Sequence, residues 1–228
     1  MTTPGTSIED YFSRLHALIR PVSTERSSVH AGRVLAQTVT ARRAIPPQDN
    51  SAMDGFLTPP LDKPCTLKVV GDVPAGAAPC APQPGTAVRI MTGGAIPEGF
   101  DGLVVPVEDT DISPGPGPLP EAVTVHRLPT RSHIRRRGSH IALGQEIAGP
   151  ATLIDAPLLA TLLSAGISTA QVHRIPRVAV IATGEELLSG LLPDSNGPML
   201  DALIAATGPV SITRMCCGDD PTELHRVL

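Results

Sequence analysis

The chain has no tryptophan, a single tyrosine and three phenylalanines in 228 residues. Its core must therefore come from Ala, Val, Leu and Ile, and it lacks the aromatic platform on which nucleic-acid bases stack. Lysine is almost missing as well: Lys63 and Lys68 are the only two, so the remaining cations are arginines, suited to bidentate pairing with carboxylate or phosphate. The net charge of −4 is opposite in sign to the footprint of a nucleic-acid binder. None of Cys65, Cys80, Cys216 and Cys217 stands in a Cys-x-x-Cys pair, which argues against a zinc ribbon. Adjacent Cys216 and Cys217 do not readily bridge each other, and free thiols suit a reducing compartment. Residues 1–6 hold no basic segment leading into an apolar run, and no apolar run reaches membrane-spanning length. These absences point to a soluble, cytoplasmic protein with neither nucleic acid nor membrane as a partner.

What the chain does contain is punctuated by 21 glycines and 25 prolines, and their placement divides it. Thr6 and Glu9 have capping-box spacing, and Ile8, Tyr11, Phe12, Leu15, Leu18 and Ile19 follow at helical intervals up to Pro21. A shorter helix is expected around Ser27 to Leu35, then an extended segment from Val39 to Ile45. From Thr58 to His133 short apolar runs alternate with Pro/Gly turns: Leu67–Val73, Ala87–Met91, Gly102–Val107 and Ala122–Leu128. This reads as a small β domain, 58–133, inserted into a mixed α+β domain formed by 1–57 and 134–173. Asp155 can cap a helix from Ala156 to Ala165 that ends at Gly166. A third region, 174–228, opens with the continuous apolar strand Arg177–Ala182, a pattern typical of a parallel strand covered on both faces. Helix Met199–Ala206, strand Val210–Cys216 and a helix from Thr222 complete it. The fold class is thus a multidomain α/β protein ending in the start of a doubly wound sheet. A βαβ unit takes about thirty residues or more, so this third region is expected to be incomplete.

Several motifs have chemical potential. Asp54-Gly55, after Pro46-Pro47 and Ser51-Ala52-Met53, presents one carboxylate at a bend, with Gly55 expected at positive φ. Thr92-Gly93-Gly94 follows a strand and could turn backbone N–H groups toward an oxyanion. Glu108-Asp109 reads as a solvated strand edge, Arg135-Arg136-Arg137 as an anion partner or a charged loop, and His140 as a ligand, an acid or an incidental residue. Thr183-Gly184-Glu185-Glu186 lies at the carboxyl end of a parallel strand, where open α/β sheets bind ligands. Asp219-Asp220 follows the next strand and faces the same edge. Carboxylates from neighbouring strand ends suit Mg²⁺, and equally suit helix N-termini.

In order along the chain, Ser-Ala-Met-Asp-Gly (51–55), Ile-Met-Thr-Gly-Gly-Ala-Ile-Pro (90–97), Thr-Gly-Glu-Glu-Leu (183–187), Asn196 and Asp219-Asp220 closely resemble molybdopterin molybdenumtransferase, the MoeA family that includes the C-terminal part of gephyrin. The resemblance runs from about Ser7 onward. It implies the last step of molybdenum cofactor assembly: adenylylated molybdopterin is bound, AMP is released with a divalent metal such as Mg²⁺, and molybdate is inserted. It further implies Asp54, Thr92 and Glu186 as catalytic residues, and Ser51, Gly93, Thr183, Gly184, Asn196 and Arg135 as substrate-binding. Glu186, Asp219 and Asp220 are implied as the metal group. The partners implied are a second copy of the chain, whose Asp54 acts in trans, and the upstream molybdopterin adenylyltransferase.

This sequence departs from the family pattern in five respects. Gly138-Ser139-His140 stands where Gly-Glu-Asp is usual, and Gly94 extends the usual Thr-Gly-Ala. The Gly/Ser-rich pterin-phosphate loop and a fourth, β-rich domain have no counterpart, nor do the lysines expected to meet molybdate. Two further readings follow: a non-catalytic dimeric scaffold or inactive family member, and a simple oxyanion binder using Thr92 and the arginines.

Overall fold

The computed structural model describes residues 7–228. In chain order the elements are α1 (Ile8–Leu18), β1 (Thr24–Ser28), β2 (Val39–Thr40), β3 (Asn50–Ser51), β4 (Gly55–Thr58), β5 (Thr66–Val73), β6 (Thr86–Ile90) and β7 (Leu103–Pro106). A 3₁₀ turn (Val107–Asp109) leads to β8 (Ala122–Thr124), β9 (Ile134–Arg135), β10 (Glu146–Ala148), α2 (Ala156–Ser164), β11 (Thr169–His173), β12 (Arg177–Thr183), α3 (Glu185–Leu188), α4 (Asn196–Ala205), β13 (Ser211–Cys217) and α5 (Pro221–Val227). This mixture is an α/β fold. The chain divides into two compact units, one of residues 1–39, 148–160 and 168–228, the other of residues 40–147 and 161–167.

The second unit is organised by a five-stranded sheet in the order β7-β4-β6-β5-β8. All four apolar runs between residues 67 and 128 form strands of this sheet. β5 and β6 run parallel, with an irregularity between Val69 and Gly71, and the other pairings are antiparallel. Successive side chains on a strand point to opposite faces, so the sheet builds two cores. Phe56, Ala87, Val105 and Val123 pack on one side. Leu57, Val88, Ile90 and Val104 pack on the other. Each large side chain buried in this way contributes about 1.5–3 kcal/mol, which fixes β4 between β7 and β6 and therefore fixes the bend that precedes it.

In the first unit, β1 and β11 pair antiparallel from Thr24↔His173 to Ser28↔Thr169. The helix expected around Ser27 to Leu35 does not form. Its first residues alternate exposed and half-buried along β1, Gly32 turns the chain at φ +85°, and Val34 and Leu35 make bridges to Leu153 and Val172. Tertiary strand pairing overrides a weak local helical signal. α1 forms as its spacing predicts, but the expected cap Thr6 lies outside the described residues; Ser7 accepts from the Asp10 amide instead. Asp155 accepts from Leu158 N, and Gly166 takes φ +80° after α2, as expected.

β12 and β13 pair parallel, Thr183 opposite Cys217 at their carboxyl ends. The expectation that β12 is covered on both faces is not met: Val180 is its only buried residue. Among the described residues no helix is long and apolar enough to cross a membrane.

Candidate functional site

β3 and β9 pair through Asn50↔Arg135 and Ser51↔Ile134, and the chain leaves β3 in a bend that delivers Asp54 to the start of β4. The tightness of that delivery comes from Gly55, for a reason different from the one expected. Gly55 is not at positive φ; it is the first residue of β4, between Ile90 and Pro106. A Cβ there would stand 2.0 Å from the Val105 carbonyl oxygen, so only glycine lets β7 pass this close. Behind it, Ser51 is fully buried, its hydroxyl donating to Met53 O at 2.5 Å and accepting from Met53 N at 3.2 Å. Ser51 shapes the bend from inside.

The Thr92-Gly93-Gly94 loop does not form an open oxyanion cradle. Gly93 N–H donates to Ser51 O at 2.9 Å and Gly94 N–H to Met91 O at 2.7 Å. Gly94 is pressed so near the Val73 carbonyl that a Cβ would lie 2.7 Å from it. The remaining donors of the loop converge on one anion, the Asp54 carboxylate. Thr92 N–H and Oγ1–H both donate to Asp54 Oδ1, at 2.6 and 2.7 Å. The Thr92 backbone donor, followed by its hydroxyl, holds Asp54 below the usual carboxylate range against a smaller opposing effect of burial. Asp54 is thus a solvent-facing, ionised carboxylate whose Oδ2 carries no partner among the described residues.

A second carboxylate, missed by the sequence reading, anchors the same region. Asp49 is 7% exposed and accepts from Arg136 Nη1 and from the Arg137 amide, both at 2.7 Å. Burial alone would raise its pKa, but the Arg137 amide and Arg136 together carry it below the ordinary value. Of the three consecutive arginines, then, Arg136 is structural and Arg137 lies 3.9 Å from Glu98. Arg135 is exposed and makes no side-chain hydrogen bond or ion pair among the described residues. The signal for Asp49 was available: it directly precedes Asn50-Ser51 and follows two prolines. Asp109 also departs from the solvated edge expected of it, being buried and paired with Arg127 at 2.6 Å. His140 is exposed, and among the described residues only its backbone N–H is engaged, with Ile45 O.

In the first unit the remaining predicted residues gather at the carboxyl edge of β12 and β13. Thr183 ends β12, and Gly184 N–H donates to Cys217 O at 3.1 Å. The Glu186 carboxylate lies back over Gly184, 2.7 Å from where a Cβ would stand. Asp219 is exposed, and Asp220 caps α5 by accepting from Thr222 N at 2.8 Å. Asn196 begins α4, where the Asp194 side chain accepts from Gly197 N. Among the described residues no three His, Cys, Asp or Glu side chains are placed together to hold a metal ion. Glu186, Asp219 and Asp220 therefore form no closed cage. As oxygen donors they fit only a hard cation that keeps most of its coordination for water and phosphate.

Comparison with known proteins meets this geometry. Residues 6–166 match the family model described as MoeA N-terminal region (domain I and II). Over 92% of the chain the sequence is 32% identical to "Molybdopterin molybdenumtransferase 2" of Mycobacterium tuberculosis, and over 99% it is 28% identical to "Molybdopterin molybdenumtransferase" of a Nostoc species. The chain spans 54% and 55% of the length of those relatives. A molybdopterin biosynthesis MoeA protein of Pyrococcus horikoshii superposes with a TM-score of 0.72 at 25% identity, over 90% of this chain and 57% of that one. The chain therefore belongs to the MoeA family and carries its N-terminal region.

Proposed function

We propose that the chain acts in molybdenum cofactor assembly, with adenylylated molybdopterin and molybdate as substrates and AMP and the molybdenum-loaded pterin as products. One observation carries the reading: an ionised Asp54 fixed by both donors of Thr92, in a chain related over 92% of its length to a named molybdopterin molybdenumtransferase. The roles follow from the chemistry of each group. Asp54 offers a preorganised acceptor that costs no reorganisation when substrate arrives. Arg135, whose side chain has no hydrogen bond or ion pair among the described residues, is available to pair with an anionic group of the substrate. Glu186, Asp219 and Asp220 would hold Mg²⁺ together with the substrate's phosphates, and the ion would offset charge on the pyrophosphate.

The same reading makes residues 1–57 with 134–173 a dimerisation domain, 58–133 its β insertion and 174–228 a molybdopterin-binding-like domain. A homodimer would place Asp54 of one subunit beside the carboxylate edge of the other, and a molybdopterin adenylyltransferase would supply the substrate. The test is AMP release from adenylylated molybdopterin by the purified 228-residue chain with Mg²⁺ and molybdate. AMP above a metal-free blank is expected; its absence defeats the reading.

A scaffold reading draws on a different observation, the exposed apolar residues of α1, among them Ile8, Tyr11, Phe12 and Leu18. A stable dimer by sedimentation that releases no AMP would favour it.

A further inference from the structure

The second unit contains a cleft of ≈ 780 Å³ that extends from the Asp54 motif to residues outside every motif. Its size lies inside the range of about 300–1,000 Å³ usual for small-molecule sites. Asp54 stands at it, Met91, Val107 and Ile112 give it apolar surface, and residues 113–120 border it as a strap rich in proline. The strap is exposed along nearly its whole length, yet it is gripped from beneath by one side chain. Arg89 donates through Nη1 to Gly117 O at 2.9 Å and Pro118 O at 3.0 Å. Its Nε and Nη2 donate to the two Asp72 oxygens, at 3.0 and 2.6 Å. Every nitrogen of that guanidinium is engaged, and its side chain is 17% exposed.

The electrostatics of the cleft narrow the ligand. Its charged liners are Asp54, Asp72 and Arg89, and the last two neutralise each other. What remains is the single negative charge of Asp54, so a phosphate or an oxyanion is repelled. A neutral, flat ring with apolar faces and N–H donors on one edge is accommodated: Asp54 Oδ2 keeps free acceptor sites, and Met91 sulfur favours an aromatic neighbour. Adenylylated molybdopterin has two heteroaromatic ends. The pterin edge offers two adjacent donors, the 2-amino group and N3–H. The adenine edge sets its amino group beside a ring nitrogen whose lone pair opposes a carboxylate. Resting on the cofactor-assembly reading above, we propose that this cleft takes the pterin ring, with its donor edge on Asp54 and one face under the strap held by Arg89.

The experiment titrates the 228-residue chain with pterin and, separately, with lumazine, in which a carbonyl replaces the 2-amino group, following ring fluorescence. Saturable pterin binding is expected, with lumazine weaker by about tenfold or more, the loss that follows one missing hydrogen bond to a charged acceptor. Asp54→Asn should erase the discrimination. Arg89→Met, which frees the strap, should weaken pterin by a similar factor. Pro116→Trp, on the exposed strap, should block the cleft while leaving the melting temperature unchanged, and it keeps the test valid if Arg89→Met does not fold. Absent pterin binding, lumazine as tight as pterin, or a Pro116→Trp protein that binds like the parent each overturns the proposal. AMP release that persists in Pro116→Trp would overturn the subsite and leave the cofactor-assembly reading standing. Discriminating pterin binding without AMP release would do the reverse.

Discussion

The Asp54 bend in one unit and the carboxylate edge of β12 and β13 in the other both place short acidic motifs at strand ends, but they are bonded in opposite ways. Asp54 is fixed by two donors from Thr92, the bend behind it is filled by buried Ser51, and the strand after it is paired on both sides within a five-stranded sheet. Glu186 and Asp219 stand exposed at the end of a two-stranded sheet, and Asp220 is occupied in capping a seven-residue helix. The first arrangement is finished before any ligand arrives. The second has the right charges without fixed geometry, which suits a site completed by a cation and a phosphate. The difference teaches that a strand-end carboxylate is preorganised by the neighbours that donate to it, and not by its position alone.

The sharpest way to break the contrast is to remove what holds the Asp54 bend. Gly55→Ala must displace β7, because the added carbon would lie 2.0 Å from a backbone oxygen that cannot rotate away. A loss of about 3–5 kcal/mol is expected, in the range of severe backbone or packing clashes. Chemical denaturation would read it as a large fall in midpoint, and a shift under about 1 kcal/mol would show that the strands have room. Next in size is Asp49→Ala, which strands the Arg137 amide and the Arg136 guanidinium. About 2 kcal/mol is expected, from hydrogen bonds to a charged group, trimmed because Arg136 is half exposed.

Thr92→Val is smaller and more specific. It removes the hydroxyl donor but keeps the amide, so stability should fall by about 1 kcal/mol. Its pH dependence sharpens the comparison. Asp54 and Asp49 both have folded pKa values below their unfolded ones. Their stabilising contribution is complete above the unfolded carboxylate value of about 3.9 and disappears as pH falls through the lower folded values. Melting temperatures of the parent and Thr92→Val should therefore differ at pH 7 and converge in acid, as pH falls below the unfolded carboxylate value and through the lower folded one. A difference that persists undiminished in acid would mean that the hydroxyl acts through packing. The least effect is expected at Asp219→Asn, where the side chain is exposed and has no hydrogen-bond partner among the described residues: stability within about 0.5 kcal/mol of the parent, with any change confined to the metal dependence of AMP release.

Much of the second unit was legible because its apolar runs alternate and its turns are marked by Gly and Pro, the signals that strand pairing obeys. The strands of its sheet could all be read this way, and in the first unit Asp155 was recognisable as the cap of α2. The helix expected at Ser27–Leu35 could not be corrected locally, since only pairing with residues 169–173, far along the chain, decides that segment. Asp54 and Thr92 were singled out separately, but nothing in either motif says that the loop's donors are turned on the carboxylate. That depends on the offset between the ends of β4 and β6, a tertiary quantity. Arg89 and Asp72 were missed because they stand 17 positions apart on parallel strands, and their register includes an irregularity.

The bond from the Thr92 amide to Asp54 has one more consequence. A backbone proton held 2.6 Å from a carboxylate oxygen, nitrogen to oxygen, is strongly deshielded, and it loses that deshielding when the acid is neutralised. This single amide is a resonance that reports the charge on the site from within the backbone, legible by NMR without a label on the side chain and without a substrate.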